Sequence, residues 1–313
     1  MAGENVSFVV EFILLGFYNL PNLQGVLFGV FLVIFMYILI GNGLIVVITR
    51  VDPALQTPMY FFLGNFSFLE ICYTSAIVPR MLSDLWTQKR QISLLACAVQ
   101  LCFFYILAAL EFLLLGIMAY DRYVAICKPL YYPIIMNNKV CNMLILGSLI
   151  LATPVMIGET YQIFTLPFCG SNELNHLFCD VTSLLKLACG DTSVNEFSLY
   201  IICVVLGFVP FLLILVSYIR IINTILKLPS VGRQKAFSTC SSHLIVVVLF
   251  YGSVIITYIQ PKSVHSAEKD KMLSLLYTIV TPMFNPIIYT LRNKDVISSL
   301  KKIITKGLLS LRK

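Results

Sequence analysis

Residues 12–49 read FILLGFYNLPNLQGVLFGVFLVIFMYILIGNGLIVVIT and contain no Asp, Glu, Lys or Arg. A membrane-spanning helix needs about 20 mainly apolar residues, so this run is long enough to cross a bilayer. Apolar and polar residues do not alternate along it, as they would in a strand of a membrane barrel. An irregular chain would leave backbone polar groups unsatisfied in lipid. The run therefore predicts a transmembrane helix near residues 23–49.

Six further stretches lack charged residues in the same way, and two of them continue past a single acid, Glu70 or Glu111. The charge-free stretches are 53–69, 91–110, 140–158, 197–219, 236–261 and 272–291. They place the remaining helices near 57–84, 94–127, 140–161, 197–226, 236–259 and 271–291. Hydrophobic residues make up 59% of the chain and charged residues 12%, against about 25% charged in soluble domains. We predict an all-α membrane protein, a seven-transmembrane helix bundle with a short amphipathic C-terminal helix.

The distribution of basic residues predicts the orientation, because Lys and Arg accumulate on the cytoplasmic side. With the N-terminus outside, the inner side holds 15 of the 22 basic residues. The net charge is then +12 inside, −3 outside and −2 within the membrane. The basic excess therefore indicates topology, and no nucleic-acid partner is expected.

Three parts of the chain follow from this topology: an extracellular N-terminal tail at 1–22, a seven-helix domain at 23–291, and a cytoplasmic segment at 292–313. No cleavable signal peptide is visible, so the first helix is expected to act as a signal anchor. The tail carries a glycosylation sequon at Asn5. The cytoplasmic segment has basic residues and apolar ones at helical spacing, which predicts a helix lying on membrane lipids. The apolar residues are Ile297, Leu300, Ile304, Leu308 and Leu311.

Four of the ten cysteines fall on the outer side, where disulfides persist. They are Cys97, Cys169, Cys179 and Cys189. Four cysteines allow three pairings, and the residues alone do not choose among them. A bridge from the third helix to the loop at 163–195 would hold that loop as a lid over the bundle.

Two acidic residues fall inside predicted helices, where ionisable side chains are costly. Glu70 and Glu111 are either protonated, hydrogen-bonded carboxyls or a shared site for a proton or a cation such as Na⁺. The second reading follows because two nearby carboxylates do not both ionise cheaply without a counter-cation. Asn42 and Asn285 are polar residues that could join the same network. No other metal site is indicated, and no cofactor is expected.

The inner end of the third helix carries Asp121, Arg122 and Tyr123 in sequence. A tandem Asp-Arg pair at a helix end can form a local ion pair that opens when another partner appears. Pro210 and Pro286 are expected to break the fifth and seventh helices, because proline removes a hydrogen bond and kinks a helix.

Several segments resemble the odorant (olfactory) receptors, a branch of the rhodopsin-like G-protein-coupled receptors. The matching segments are Gly41-Asn42, PMYFFLGNFSFLEICYTS at 58–75, MAYDRYVAICKPLYYPIIM at 118–136, SYIRI at 217–221, KAFSTCSSHL at 235–244 and PMFNPIIYTLRNKDV at 282–296. Together they touch six of the seven predicted helices, all except the fourth. The loop segments FCG at 168–170 and HLFCD at 176–180 are also similar to that family.

This resemblance implies the disulfides Cys97–Cys179 and Cys169–Cys189. It also implies an activation switch in which Arg122 pairs with Asp121 at rest and moves toward Tyr218 on activation. The remaining switch residues would be Tyr123, Asn285, Pro286 and Tyr289. The expected partner is a heterotrimeric stimulatory G protein of the Gs or Golf type, and the expected output is a rise in cAMP. The implied location is the plasma membrane, with the C-terminus in the cytoplasm.

A ligand pocket is expected between the outer halves of the helices, from helical spacing combined with family position. The expected lining residues are Phe104, Tyr105, Ala108, Ala109, Leu199, Ile202, Cys203, Leu206, Tyr251, Val254, Ile255, Tyr258, Leu275 and Thr278. They are mostly apolar, so a ligand would bind by burying its surface, with Tyr105, Tyr258 or Thr278 supplying a hydrogen bond.

The composition of this pocket predicts a small, neutral, volatile organic ligand. No acid lies on the outer half of the third helix to hold an amine, and no Lys lies at 272–291 to form a retinal Schiff base. An enzyme is not expected, since no nucleophile, base or metal set converges. The alternatives are a rhodopsin-like receptor for a non-odorant ligand, and a transporter, for which no repeat between halves is visible.

Overall fold

The computed structural model describes residues 10–169, 171–227, 229–258, 267–291, 293 and 295–302. Seven long helices form a bundle, as the sequence predicts. They are α1 (Gln24–Val51), α2 (Pro58–Thr87), α3 (Leu94–Cys127), α4 (Asn138–Phe164), α5 (Ser193–Ile225), α6 (Ser230–Tyr258) and α7 (Ala267–Leu275, Leu276–Val280 and Thr281–Leu291 in succession). Six are long and apolar enough to cross a membrane, and the apolar part of α6 at Cys240–Ile256 is shorter.

Most helix ends lie one to four residues from the predicted bounds. They differ because capping residues, and not charged residues, determine where the helices begin and end. The side chain of Ser93 accepts a hydrogen bond from Ala96 N at 3.2 Å, and that of Asn137 accepts from Val140 N at 3.0 Å. Such caps satisfy the free N–H groups of the first turn. Pro58 begins α2, where its missing N–H costs nothing.

The two proline breaks expected from the sequence are not seen. Residues Cys203–Phe208 form π turns, and Pro210 then stands in the first turn of the α-helical segment that runs to Ile225. Helix α7 has π turns at Leu276–Val280 and continues through Pro286 to Leu291. The π turns accommodate the backbone hydrogen bonds that proline cannot make, and both helices continue.

A small three-stranded sheet covers one end of the bundle, called the sheet end below. It consists of β1 (Glu11–Leu14), β2 (Gln91–Ser93) and β3 (Glu173–Leu174), in the order β2-β1-β3. Strand β1 pairs antiparallel with β2 and parallel with β3. The segment expected to be a simple tail is therefore partly folded, because it joins the α2–α3 connection to the long loop before α5.

Short helices complete the described chain. They are the α-helical turns Tyr132–Ile135 and Val181–Leu187 and the 3₁₀ turns Pro21–Leu23 and Pro53–Leu55. Residues 295–302 are also helical. Val296 is fully buried, Lys302 Nζ lies 3.5 Å from Asp52 Oδ1, and Tyr60 OH donates to Asp295 at 3.0 Å. This segment therefore packs under the bundle end opposite the sheet, while Ile304, Leu308 and Leu311 lie outside the described residues.

Candidate functional site

Helix α3 runs through the middle of the bundle, and Tyr105 on it lies where three apolar clusters meet. Tyr105 packs against the cluster around Tyr73 and Phe104, against the cluster around Leu101 and Ile163, and against a third around Ala109. It is the one side chain shared by all three among the described residues. The half-buried Tyr105 therefore links the apolar packing of all three clusters.

Most of the predicted pocket residues gather around Tyr105. Phe104 packs its ring 5.3 Å from that of Tyr73 and 5.1 Å from that of Phe178. Helices α3, α5 and α7 all contribute apolar side chains to these clusters, so the site lies between them near the sheet end. The predicted residues found there are Phe104, Tyr105, Ala108, Ala109, Leu199, Ile202, Leu206 and Leu275.

Two of the predicted pocket residues are exposed. Cys203 is exposed, and the side chain of Ile255 is 44% exposed. The π turns of α5 begin at Cys203, so the residues that follow it depart from the regular α-helical phase. Ile255 lies one position past the half-buried Val254 on the outward side of α6.

Two further predicted pocket residues make hydrogen bonds within the bundle, and the side chain of a third is not described. Tyr251 lies deeper than expected, with its ring 4.8 Å from Phe211 and its hydroxyl donating to Gly207 O at 3.2 Å. The hydroxyl of Thr278 donates to Ser274 O at 2.7 Å within α7, so its proton is already used. The side chain of Tyr258 lies outside the described residues. The hydroxyls of Tyr251 and Thr278 are therefore both bonded to backbone carbonyls of the bundle.

A lid closes the sheet end above Phe104. The disulfide Cys97–Cys179 joins α3 to the lid, and Cys169–Cys189 closes the lid on itself. Cys179 N also donates to Gln100 Oε1 at 3.1 Å. Phe178, only 1% exposed, points its ring at Phe104 from above. The lid is therefore fixed to α3 at three consecutive turns.

His176 supports the lid from behind Phe178. Its Nδ1 donates to Phe178 O at 3.2 Å, and the two rings are edge to face at 4.4 Å. Burial lowers the pKa of the imidazole below its usual value, the positive charge of Lys271 acts in the same direction, and the carboxylates of Asp180 and Asp270 oppose both. His176 is therefore neutral in the folded lid.

Acidification is expected to loosen the lid through His176. The unfolded imidazole binds a proton near its ordinary pKa of about 6.5, while the folded one resists protonation. The stabilisation is therefore present above that pH and lost as the pH falls through it. The melting temperature of purified protein should decrease as the pH is lowered from about 7.5 to about 5.5. In His176→Gln this decrease should be smaller. An equal fall in both proteins would contradict the role of His176.

Glu159 is a buried acid, although the outer charge of −3 predicted from the sequence includes it. It is 3% exposed in α4, and one carboxylate oxygen accepts a hydrogen bond from Ser198 Oγ on α5. Its other oxygen has no hydrogen-bond partner among the described residues. Glu159 lies at helical spacing from the buried residues Ala152, Met156 and Ile163, and this spacing could have predicted its burial. Glu159 and Ser198 thus add a polar edge beside Leu199 and Ile202.

A second polar cluster lies in the middle of the bundle. The Asn285 amide donates to the Glu70 carboxylate, and Glu111 on α3 lies beside Glu70. All three are 1% exposed. Several oxygens around them lack a hydrogen-bond partner among the described residues: Glu70 Oε2, both of Glu111, Asn42 Oδ1, Asn285 Oδ1 and Tyr289 OH. Such an all-oxygen set fits a proton or a hard cation between the carboxyls.

Helices α1 and α7 pack closely against each other next to this cluster. A Cβ added at Gly41 would lie 3.0 Å from two side-chain atoms of Pro286. Only glycine avoids this contact, which explains the Gly41-Asn42 pair that the sequence singles out. The helix contact brings Asn42, fully buried, toward the same side as Asn285.

The bundle end opposite the sheet holds the Asp121-Arg122 pair. Arg122 forms an ion pair with Asp121, which also accepts a hydrogen bond from Tyr132 OH at 2.9 Å. Tyr218 is bound to α6 instead, with its hydroxyl 2.8 Å from His243 Nδ1 and 3.3 Å from Cys240 O. His243 lies in the KAFSTCSSHL segment, yet the sequence analysis gave it no role.

Comparison with known proteins agrees with this geometry. A family model described as "Olfactory receptor" matches residues 31–307. Human olfactory receptor 10AG1 is 59% identical over 95% of this chain and 99% of its own length. Human olfactory receptor 10A7 is 51% identical over 99% of this chain and 98% of its own length. Squid rhodopsin has the same fold, with a TM-score of 0.73 over 90% of this chain and 85% of its own, at 15% identity.

Proposed function

Because the chain belongs to the olfactory receptor family of rhodopsin-like G-protein-coupled receptors, we propose that it is a signalling receptor for small neutral odorants. The ligand binds around Tyr105 and activates a stimulatory G protein of the Gs or Golf type, which raises cAMP. The observation that carries this proposal is the meeting of three apolar clusters at one half-buried tyrosine beneath a fixed lid.

The chemistry around Tyr105 supports a neutral ligand. Apolar surface buried there contributes about 25 cal/mol per Å², so an odorant gains its affinity mainly from contact with Phe104, Ile202 and Leu206. A hydrogen bond to Tyr105, or to the free oxygen of Glu159, would orient an alcohol or a carbonyl group. The other predicted lining residues, Val254 and Tyr258 on α6 among them, complete the proposed site.

The sheet end is the extracellular side in this proposal, with a multi-pass receptor in the plasma membrane. Both disulfides lie at that end, where an oxidising environment preserves them. The sequon at Asn5 lies outside the described residues and would be glycosylated on the same side. The C-terminus is then cytoplasmic, and residues 292–313 rest on inner-leaflet lipids.

Signal transfer uses the two polar clusters in this proposal. Ligand binding lowers the free energy of a state in which Arg122 leaves Asp121 and approaches Tyr218. Asn285, Pro286 and Tyr289 relay the change along α7, and Tyr123 follows Arg122 at the surface that the G protein contacts. A proton or Na⁺ held by Glu70 and Glu111, with Asn42 nearby, would stabilise the resting state.

A panel of neutral odorants is expected to contain at least one that raises cAMP in cells expressing the receptor and a stimulatory G protein. Tyr105→Ala should raise the half-maximal concentration at least tenfold, because it removes the ring shared by three clusters. Phe103→Ala is the matched control, since Phe103 is an aromatic on the same helix that is 58% exposed. Both variants are compared at equal surface expression.

Three outcomes would contradict the proposed function. Activation by charged ligands alone would rule out a neutral odorant site, and unchanged responses in Tyr105→Ala would remove Tyr105 from that site. Absence of a cAMP response to every ligand, with the receptor present at the surface, would count against stimulatory coupling.

A further inference from the structure

A cavity of about 550 Å³ lies between α3 and α5 at the bundle end opposite the sheet. The residues lining it are Tyr123, Cys127, Arg220, Asn223, Thr224, Leu226 and Lys227. Two of them are cationic and none is acidic. The cavity is far from Tyr105 along α3, so it is separate from the proposed odorant site.

The inner wall of the cavity is fixed by contacts between the two helices. Cys127 Sγ lies 3.2 Å from Thr224 Oγ1 and 3.7 Å from Arg220 O, and Thr224 Oγ1 donates to Arg220 O at 3.0 Å. These contacts use backbone and small side-chain groups. They leave the guanidinium of Arg220 and the ammonium of Lys227 without an ion pair in the described part of the chain.

A third cation stands at the edge of the cavity. Lys128 Nζ lies 6.0 Å from the centroid of the Tyr123 ring, one of the lining residues. Arg220, Lys227 and Lys128 are all exposed. The cavity is therefore a preformed basic site with a tyrosine hydroxyl and an Asn amide available as further donors.

The position of the cavity on α5 shows which surroundings it faces. Val209 and Val216, 55% and 56% exposed, form an outward stripe that continues at helical spacing through Arg220, Asn223 and Lys227. The buried residues of α5, such as Ile214 and Ile221, lie on another face. One outward stripe of α5 thus changes from apolar to basic, as expected where a membrane helix passes from the hydrocarbon to the level of lipid phosphates.

We propose that this cavity binds the phosphorylated headgroup of an anionic membrane lipid. Basic pockets between membrane helices on the cytoplasmic side take such headgroups. The planar guanidinium of Arg220 can hold a phosphate through two parallel hydrogen bonds, and the more mobile Lys227 and Lys128 add charge. Three cations around one cavity favour a headgroup with more than one phosphate. The acyl chains would lie along the Val216 side of α5.

The test is lipid capture by the purified receptor in vesicles of phosphatidylcholine containing a small fraction of phosphatidylinositol bisphosphate. Bound lipid is counted by mass spectrometry after release from the vesicles. Each basic residue near a membrane surface contributes about fivefold in binding, so R220Q/K227Q should bind the lipid roughly thirtyfold more weakly. R220K/K227R keeps both charges and should retain most of the bound lipid.

Arg50→Gln provides the matched control. Arg50 is exposed in the last turn of α1, near the same membrane face, but α1 packs on α2 and α7 and not on the cavity. It should capture lipid like the unchanged receptor. Soluble inositol trisphosphate is added as a competitor to distinguish a lipid from a free phosphate compound. If the site binds a lipid, inositol trisphosphate at the same concentration as the lipid should displace little of it.

Three results would overturn the proposal. Equal capture by R220Q/K227Q would mean that Arg220 and Lys227 do not hold the lipid, and an equal loss in Arg50→Gln would reduce the effect to general surface charge. Full competition by the soluble phosphate would make a free phosphate compound the ligand. Retained lipid with lost G-protein activation in R220Q/K227Q would make the cavity a G-protein contact.

Discussion

Replacement of Cys97 and Cys179 by serine is expected to remove most of the receptor from the cell surface, whereas replacement of Cys169 and Cys189 should remove much less. The first disulfide closes a separation of 82 residues and the second one of 20. Loop-closure entropy then contributes about 4.5 kcal/mol for the longer loop and about 3.3 kcal/mol for the shorter. A folded protein has only about 5–15 kcal/mol of net stability.

The surroundings of the two disulfides should increase the difference in stability between the two serine variants. Cys97 and Cys179 are fully buried, and Cys179 follows Phe178, whose ring covers Phe104. Breaking this bridge releases the lid from α3 and opens the proposed site. Cys189 is exposed, and its bridge to Cys169 lies within the lid itself.

Surface labelling of an N-terminal tag and thermal melting of purified protein both measure this effect. Paired serine variants are used so that no single cysteine remains to form a wrong disulfide. The two bridges would be equivalent if both variants melted at the same temperature, and the account of the lid would then be wrong.

The positions of the helices were predictable from charge alone, because the membrane imposes its own length on each span. The gap at 91–110 and the single Glu111 led to bounds of 94–127, and α3 is found at Leu94–Cys127. The sheet was not predictable. Its strands have four, three and two residues, and they come from segments that are far apart in sequence, so no local pattern marks them.

The proposed site was predictable only where the helical phase stayed regular. The spacing of Phe104, Tyr105 and Ala108 holds along the unbroken α3, whereas the π turns at Cys203–Phe208 change the helical phase of the α5 residues that follow. Glu159 falls inside the predicted fourth helix at 140–161, although the predicted outer charge of −3 includes it. In the structure it is buried in α4, and Ser198 on a different helix donates to its carboxylate. Contacts between distant residues cannot be read from one chain without an alignment.

Opposite effects on ligand-independent signalling are expected from His243→Phe and Tyr218→Phe. The Tyr218 hydroxyl is bound to His243 at 2.8 Å and to Cys240 O at 3.3 Å, which ties α5 to α6. In the proposed active state the same hydroxyl receives Arg122. His243→Phe removes a partner of the resting state alone. Since a hydrogen bond contributes about 0.5–1.5 kcal/mol net, basal cAMP should rise about two- to tenfold.

Tyr218→Phe removes the hydroxyl from both states and should lower basal and odorant-stimulated cAMP together. The two rings stack at 5.8 Å with an interplanar angle of 10°, and phenylalanine at either position preserves that packing. Each variant therefore changes one hydrogen-bonding group with little change in volume, and cAMP is divided by surface receptor to remove differences in expression. A fall in basal cAMP in both variants would mean that the Tyr218–His243 contact does not hold the resting state. A rise in both would mean that the active state does not need the Tyr218 hydroxyl.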